Sequence, residues 1–405
     1  MLRTFTFRFY PSRDQESVLS KTLFLCRDLY NAAIEERRYA HKAGRNLGYR
    51  YQQNQLPELK RRLPEYRLPH SQVLQDVLRR VERAYSNFFN RVESRRNGRR
   101  ITAGFPRFKP YGRYNSITYP QAQKYSVVGG HLFVPKIGRL RVFMHRNLDG
   151  DIKTITLKRD RVGDWFVFFV CEIPDVPKKV PQTAIGIDLG LIKLVQTTDG
   201  DFEPAIKFFD ESQKALKTAQ KKLSRKVLGS KNREKARIRV ARIHRKIQRQ
   251  REDFLHKVSA KLVSKADLLV FEDLDVQNMV LNHKLAKSIV DASWGRLLRY
   301  VSYKASSAGK TVVLVDPKGT TSDCACGNTV RLSLSDRIFH CQKCGITLDR
   351  DLHGSFGTLR KVGWEAAELT PVEMRPLLAS KPASLVVEAG SPQQQPWEAV
   401  TLSRS

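Results

Sequence analysis

The sequence predicts an α/β fold joined to a small β-barrel, with a helical insert after the first strand. Three observations carry this expectation. Two fully apolar runs, at 184–187 and 268–271, each end in an acid, and a long helical pattern separates them. Between 104 and 176 the apolar residues recur with period two in several short segments, as half-buried strands do. Between 10 and 103 they recur at helical spacing instead. At 405 residues the chain is long enough for two or three domains on a prior of about 150 residues each.

The elements follow in order. Residues 2–9 alternate apolar and polar, which is a strand. Ser12-Arg13-Asp14-Gln15 fits a capping box, and Val18, Thr22, Leu25, Leu29 and Ala33 continue it as a helix. A second helix carries Leu74, Leu78, Val81, Tyr85, Phe88 and Val92. Strands are expected at Leu132–Val134, Leu140–Phe143, Ile152–Leu157 and Trp165–Cys171, and the first strand is expected to complete their barrel. Pro174 to Pro181 reads as a linker. Beyond it come a buried strand into Asp188, a hairpin partner at Leu194–Thr197, helices over 211–262 broken at Gly229-Ser230, and a buried strand into Glu272. A helix from Trp294 to Ala305 and a strand at Thr311–Val315 follow, and a helix is expected to begin at Leu352. The segment 363–405, rich in Pro, Gly, Gln and Ser, reads as a disordered tail.

Acids at strand ends suggest a specific chemistry. Hydrolysis of a phosphodiester needs an activated water and a stabilised leaving oxygen, and two magnesium ions about 3.5–4 Å apart supply both. Magnesium takes carboxylate and water oxygens, and neighbouring strand ends gather acids that are distant in sequence. Asp188 and Glu272 end buried strands, and Asp349 and Asp351 follow the last cysteine. Periodicity does not separate Asp349 from Asp351. Asp273 and Asp275 read as solvated neighbours of Glu272.

Of six cysteines, Cys324, Cys326, Cys341 and Cys344 fall within 21 residues, the grouping of a zinc ribbon rather than a disulfide framework. The second pair has standard knuckle spacing with Gly345 behind it, and the first pair is one residue short, so Asp323 or His340 stands as a substitute ligand. Cys26 and Cys171 sit in apolar stretches and read as core thiols.

Charge sets the partner. The chain has 73 Lys and Arg against 40 Asp and Glu, a net +33, which favours a polyanionic partner. A membrane is disfavoured, because no apolar run approaches the ~18 residues a span requires. The start Met1-Leu2-Arg3-Thr4-Phe5-Thr6-Phe7 lacks the basic-then-apolar order of a secretory signal. From Lys214 to Arg251 there are 16 basic residues and one acid, Glu234, over an apolar seam of Leu216, Leu223, Ile238, Ile243 and Ile247. Such a one-sign ridge suits phosphate contact, with Lys221, Lys222, Arg225, Arg242 and Arg245 as candidates. A second basic stretch (Arg95, Arg96, Arg99, Arg100, Arg107, Lys109, Arg113) is interleaved with Phe105, Phe108, Tyr111 and Tyr114. Phe105, Arg107 and Lys109 are its candidate contacts, by stacking and charge; the competing reading is aromatic packing at a domain junction.

Several motifs, read together, resemble one family. They are Gly104-Phe105-Pro106-Arg107-Phe108, Gly186-Ile187-Asp188-Leu189-Gly190, Asp253-Phe254-Leu255-His256-Lys257 and Phe271-Glu272-Asp273-Leu274. Ser293-Trp294 with Tyr303-Lys304-Ala305, and the cysteine cluster running into Asp349-Arg350-Asp351, complete the set. Over roughly residues 1–360 the order resembles TnpB (OrfB), the transposon-encoded RNA-guided DNA nucleases related to type V CRISPR effectors. The resemblance implies an RNase H-like (RuvC) nuclease domain at 182–362 with catalytic, magnesium-binding Asp188, Glu272 and Asp351, and a zinc-ribbon insert at about 318–347. It implies a wedge β-barrel from 1–9 and 104–176 around a helical recognition insert at 10–103, with flank-reading residues near Gln75 and Thr118. The partners would be a guide RNA and target double-stranded DNA, the protomer a monomer, and the place the prokaryotic cytoplasm at the nucleoid. Where the family continues its last motif with amides, this chain has His353 and Gly357, and its first cysteine pair is short. Two other functions use the same parts: a guided DNA-binding repressor that no longer cuts, and a transposase catalysing strand transfer.

Overall fold

The computed structural model describes residues 1–98, 101–122, 125, 127–279, 286–333 and 335–364. The chain divides into two compact units, 1–175 and 176 onward. The expected tail at 363–405 lies outside the described residues from 365.

In the first unit β1 (Leu2–Tyr10) turns Phe5, Phe7 and Phe9 inward. Ser12 then caps α1 (Arg13–Lys42), accepting from the Gln15 amide while the Gln15 side chain accepts from the Ser12 amide. This reciprocal pairing satisfies two helix-end donors at once. Two short helices, α2 (Tyr49–Asn54) and α3 (Leu56–Arg62), and a 3-10 turn at Pro64–Arg67 lead to α4 (Ser71–Arg96). The remaining strands are β2 (Ser116–Tyr119), β3 (Val127–Val128), β4 (His131–Val134), β5 (Gly138–Phe143), β6 (Asp151–Arg159) and β7 (Trp165–Glu172). They form one antiparallel seven-stranded sheet in the order β2-β6-β7-β1-β5-β4-β3. The apolar faces of α1 and α4 join the sheet's inner face in one core, which includes Cys26 and Cys171.

The expected barrel is therefore a half-barrel. β1 lies mid-sheet rather than closing an edge, and among the described residues β2 and β3 do not pair. Closure needs two edges of usable length in register; β3 offers two residues. Neither β2 nor β3 stands out in the sequence, since each is too short to show a period.

The second unit holds β8 (Ala184–Asp188), β9 (Lys193–Thr197) and β10 (Phe202–Pro204), then α5 (Phe208–Ser224) and α6 (Lys231–Lys265). It continues with β11 (Leu268–Glu272), α7 (Val276–Met279), α8 (Ala286–Ala292), α9 (Trp294–Ser307) and β12 (Thr311–Val315). A hairpin of β13 (Ile338–His340) and β14 (Thr347–Asp349) precedes α10 (Arg350–Arg360). The five-stranded sheet runs β10-β9-β8-β11-β12, with β8, β11 and β12 parallel and β9 and β10 antiparallel. Period two divides its central strands. Ile185, Ile187, Leu269 and Phe271 share a core with Leu262 of α6 and Leu297 and Val301 of α9. Leu268 and Val270 face Leu359 of α10 on the other side. Gly229, at φ +80°, and the capping Ser230 separate α5 from α6.

Candidate metal centre

Alternation decides where the acids point. Asp188 follows Ala184 and Gly186, and Glu272 follows Leu268 and Val270, on the α10 face of the sheet. The register pairs Ile187 with Phe271, so the two acids end adjacent parallel strands side by side. Helix α10 lies very close to β8 there. A Cβ on Gly186 would sit 2.0 Å from the Ser355 carbonyl oxygen, so only glycine permits the approach. One turn into α10, Gly354 lies against the Asp188 carboxyl, where an added Cβ would be 3.3 Å from Cγ. The same helix supplies Asp351 in its first turn.

Acids gathered at a half-buried place oppose each other's ionisation. Burial raises the Asp188 pKa well above the carboxylate range, and the charges of Glu272 and Asp351 raise it further. Burial raises Glu272 as well, opposed by a hydrogen bond in which the Thr320 hydroxyl donates to Glu272 Oε1 at 2.5 Å. Asp351 is raised by burial and then by Asp349, against the cations Lys193, Arg337 and Arg350.

The structure separates Asp349 from Asp351. Asp349 is the N-cap of α10, accepting from the amides of Asp351 and Leu352 at 3.0 and 3.1 Å and pairing with Lys193 Nζ at 3.0 Å. Its carboxylate is thereby committed to holding the helix start. The helix begins at Arg350, two residues before the expected Leu352, because this cap stands ahead of it. Asp273 and Asp275 are exposed.

The four cysteines form the second centre. Among the described residues their Sγ atoms, all within 4.8 Å of one another, are the one such cluster of potential ligands. Cys324 and Cys344 approach to 3.5 Å, and Cys326 and Cys341 to 3.6 Å, so the short first pair does bring both sulfurs in. Zinc–sulfur bonds of about 2.3 Å at tetrahedral angles span such separations. Backbone amides of Cys344 and Lys343 lower the Cys341 thiol pKa, while burial raises that of Cys324. Neither substitute is recruited: Asp323 bonds Ser322 and Thr329, and His340 bonds Thr347.

A link between the two centres escaped the sequence. Phe339 of β13 packs with Cys324 and Cys341, and stacks on His353 of α10 with ring centroids 3.5 Å apart at 8°. His353 Nδ1 meets the Thr321 carbonyl oxygen at 3.1 Å, beside the Thr320 that binds Glu272. Gly357 admits the Thr320 carbonyl, which would lie 1.9 Å from an added Cβ. So the two departures after Asp351 fill built positions: a buried ring on the cysteine hairpin and a gap for the 320 loop. Thr320 and Lys193 carry no sequence pattern that would single them out.

The remaining candidates lie elsewhere. Lys221 and Lys222 on α5, Arg225 in the turn just after it and Arg242 on α6 are exposed, and Arg245 is half-buried. In the first unit Phe105 packs edge-on against Tyr85 and Phe88 and takes the Arg38 guanidinium over its ring, lining a cleft of about 990 Å³. Aromatic packing thus claims much of that stretch, while Arg107 and Lys109 stay exposed. Gln75 is half-buried, and the Thr118 hydroxyl meets Arg80 Nη2 at 2.6 Å and Thr156 at 2.9 Å.

Comparison with known proteins places the chain. Residues 168–283 match the OrfB model of IS605-type elements, described as a probable transposase, and residues 294–357 match the Cas12f1-like TNB domain. A protein of Streptomyces pristinaespiralis named as an RNA-guided DNA endonuclease is 34% identical over 362 residues, 87% of each chain. The chain belongs to the TnpB (OrfB) family. Escherichia coli InsQ, also named as an RNA-guided DNA endonuclease, is 32% identical over 376 residues, 87% of this TnpB-family chain and 90% of InsQ. The Cas12f1 chain of a Cas12f1–sgRNA–target DNA complex shares the fold at TM-score 0.54 and 12% identity, covering 88% of this chain and 98% of its own. Residues 1–46 match a model described as a helix-turn-helix domain, although here they form β1 and one 30-residue helix. Among the described residues no helix is long and apolar enough to cross a membrane.

Proposed function

We propose that this TnpB-family chain is an RNA-guided, magnesium-dependent DNA endonuclease encoded by a transposon, cutting beside a short flanking motif. The observation that carries the reading is the placing of Asp188 and Glu272 at the ends of adjacent parallel strands, with Asp351 of α10 close enough for its charge to raise the Asp188 pKa. The strand order β10-β9-β8-β11-β12 supports an RNase H-like (RuvC) assignment for 182–362. In the first unit, 1–9 with 104–176 serve as the wedge and 10–103 as the recognition insert.

The three carboxylates fit hard divalent ions, since a bound positive charge offsets both the burial and the repulsion from Glu272 and Asp351 that raise the Asp188 pKa. Bound there, magnesium would supply an activated water and stabilise the leaving oxygen. The chain's own residues do the positioning. The Thr320 hydroxyl fixes one Glu272 oxygen, Gly354 leaves room for Asp188, and Asp349 with Lys193 sets the start of the helix that carries Asp351. Zinc in the four-thiolate cluster would hold the hairpin on which His353 rests.

Sequence choice rests on pairing of the guide RNA with target DNA, the protein reading only the flank. With its hydroxyl engaged, Thr118 would read through its methyl group, and the half-buried Gln75 of α4 would be the polar reader. Phe105, Arg107, Lys109, Lys221, Lys222, Arg225, Arg242 and Arg245 contact the nucleic acids. The test is expression with the downstream genomic flank, followed by assay on a matched plasmid with magnesium. A discrete copurifying RNA, and cutting that Asp188→Ala abolishes, are expected. RNA without cutting would mean a guided repressor, and a folded protein without RNA would mean an unguided nuclease or transposase.

A further inference from the structure

The far end of the α5–α6 hairpin carries a feature that the proposed function leaves unused. Residues 225–230 join α5 to α6, and among them Val227 is 76% and Leu228 81% exposed. Connecting turns are ordinarily polar, and single exposed apolar residues are ordinary too. This pair differs in how it is held. The Arg233 guanidinium donates to the carbonyls of Leu223 at 3.2 Å and Lys226 at 2.8 Å, closing the end of α5. The Ser230 hydroxyl donates to the Val227 carbonyl at 2.9 Å and accepts from the Arg233 amide at 3.1 Å, opening α6. Backbone bonds from the Lys226 and Ser230 amides to the Leu223 and Val227 carbonyls complete the turn, bent at Gly229. Its polar groups are thus bonded among themselves while its two apolar side chains meet solvent.

The hairpin also sets them apart. Leu216 and Ala219 are the last buried residues of α5, Ile247 is the first of α6, and none from 220 to 246 is buried. From Lys231 to Ile247 α6 runs about 24 Å at 1.5 Å per residue. Lys226 and Lys231 are exposed on either side of the apolar pair in sequence, and Glu234, the one acid in this basic run, bonds Arg237 at 2.7 Å.

The geometry points to an intercalating tip for duplex DNA. Leu228, with Val227 beside it, enters between neighbouring base pairs from the minor groove, and Lys226 and Lys231 meet the phosphates around it. Apolar side chains of this kind unstack base steps and kink the duplex. Each helix is about 10–12 Å across, wider than the ~6 Å minor groove, so the turn alone can enter. A second copy of this chain is the poorer occupant. Two residues offer far less than the ~800 Å² a side of a stable contact, and the basic flanks would face their own copies. A bilayer would take the same residues, yet its hold grows with buried apolar area, of which two side chains supply little. Duplex DNA is chosen on the guided reading, on which this part of the inference rests. Guide pairing exchanges DNA pairs for RNA–DNA pairs at near balance, so unstacking one step tips the exchange forward.

Two measurements test it. The full chain, with the RNA it carries, is titrated with a short DNA duplex that has no match to a guide and bears 2-aminopurine beside an easily unstacked TA step. Binding should raise the fluorescence. Val227→Ser/Leu228→Ser should abolish that rise while melting and the salt slope of duplex binding stay the same, because both side chains are exposed and no phosphate contact is removed. On a matched plasmid the double variant should lose roughly ten-fold more rate with relaxed than with supercoiled target, the equivalent of one base step at about 1.4 kcal/mol. A fluorescence rise that survives the double variant overturns the tip, as does an equal rise on the corresponding RNA duplex. An equal loss of rate on both plasmid forms overturns its part in opening the target. If the double variant instead loses self-association in light scattering, or sedimentation with phosphatidylserine vesicles, while the fluorescence rise persists, the tip belongs to a second copy or to a membrane. If no RNA copurifies, yet the rise still depends on Leu228, the tip stands and the guided reading falls.

Discussion

Gly357→Ala pits two rules against each other. Glycine in a helix interior costs about 1 kcal/mol relative to alanine, so propensity alone makes the substitution stabilising. The packing at this position says the reverse. An added Cβ would lie 1.9 Å from the Thr320 carbonyl oxygen, 2.7 Å from its carbon and 2.9 Å from its Cα. All three neighbours are backbone atoms, so no rotamer change relieves the clash. Helix α10 or the 320 loop must retreat by roughly 1 Å or more, and overpacking of that kind costs about 1–3 kcal/mol.

The retreat has a second consequence. The Thr320 hydroxyl holds Glu272 at 2.5 Å, and a hydrogen bond does not survive displacement on that scale. Melting should therefore fall by several degrees, at about 2–4 °C per kcal/mol for a body this size. Cleavage should fall more steeply than the fraction unfolded explains. Gly354→Ala is the graded control: its Cβ would meet Asp188 Cγ at 3.3 Å, a contact that yields by a few tenths of an ångström. Scanning fluorimetry and plasmid cleavage read both variants. A Gly357→Ala protein that melts at or above the parent and cuts normally would falsify the account of how α10 is seated.

Other expectations follow from the same contacts. Asp188→Asn should abolish magnesium-dependent cutting while leaving melting equal or higher in metal-free buffer, because it removes a charge that burial disfavours; a lower melting point would contradict the raised Asp188 pKa. That pKa also fixes a pH trend. An acid whose folded pKa is raised contributes stability at low pH that is lost as pH rises through it, so magnesium should raise the melting temperature more at pH 8 than at pH 5, and an equal rise at both would argue against binding at this cluster. Cys326→Ser should lower zinc, measured by elemental analysis, from about one equivalent per chain towards none, with a lower melting point; retained zinc would remove Cys326 from the ligand set. Lys221→Glu with Lys222→Glu and Arg225→Glu should weaken RNA binding and flatten its salt dependence, and an unchanged salt slope would remove that face of α5 from the interface.

What could be read in the sequence was what repeats along the chain. Phe5, Phe7 and Phe9 announce β1, Ser12 and Gln15 announce the start of α1, and the apolar runs into Asp188 and Glu272 announce strands by length and burial. Two-residue β3 and six-residue α2 are shorter than any period that would reveal them. The closed barrel failed for a related reason: strand positions were legible, but which edges pair is set by contacts between segments. The acids at strand ends were visible because one strand orders each of them. Asp349 and Asp351 were indistinguishable because the difference is made by Lys193, more than 150 residues earlier, and by the backbone of α10 itself.

His353 and Gly357 show how a departure from a family pattern changes meaning once its neighbours are known. Read along the chain, both suggest a partial loss of activity. In the fold, His353 is buried between Phe339 and the Thr321 carbonyl, its pKa lowered to about 4 by burial and by Arg360. A histidine so depressed stays neutral, and its contribution is complete above its unfolded pKa near 6.5 and lost as pH falls towards 4. The ring thus acts near neutral pH as an uncharged plate joining the cysteine hairpin to α10. Thr320, one residue before the carbonyl that receives His353, binds Glu272. The chain of contacts from Cys341 through Phe339, His353 and the 320 loop to Glu272 therefore makes the acids' geometry depend on the cysteine hairpin. His353→Ala, which deletes the plate and leaves every thiol and carboxylate in place, should consequently lower the affinity for magnesium or manganese, measured by calorimetry, while zinc content stays the same. Unaltered divalent-ion affinity in that variant would mean that the hairpin and the acids are merely neighbours.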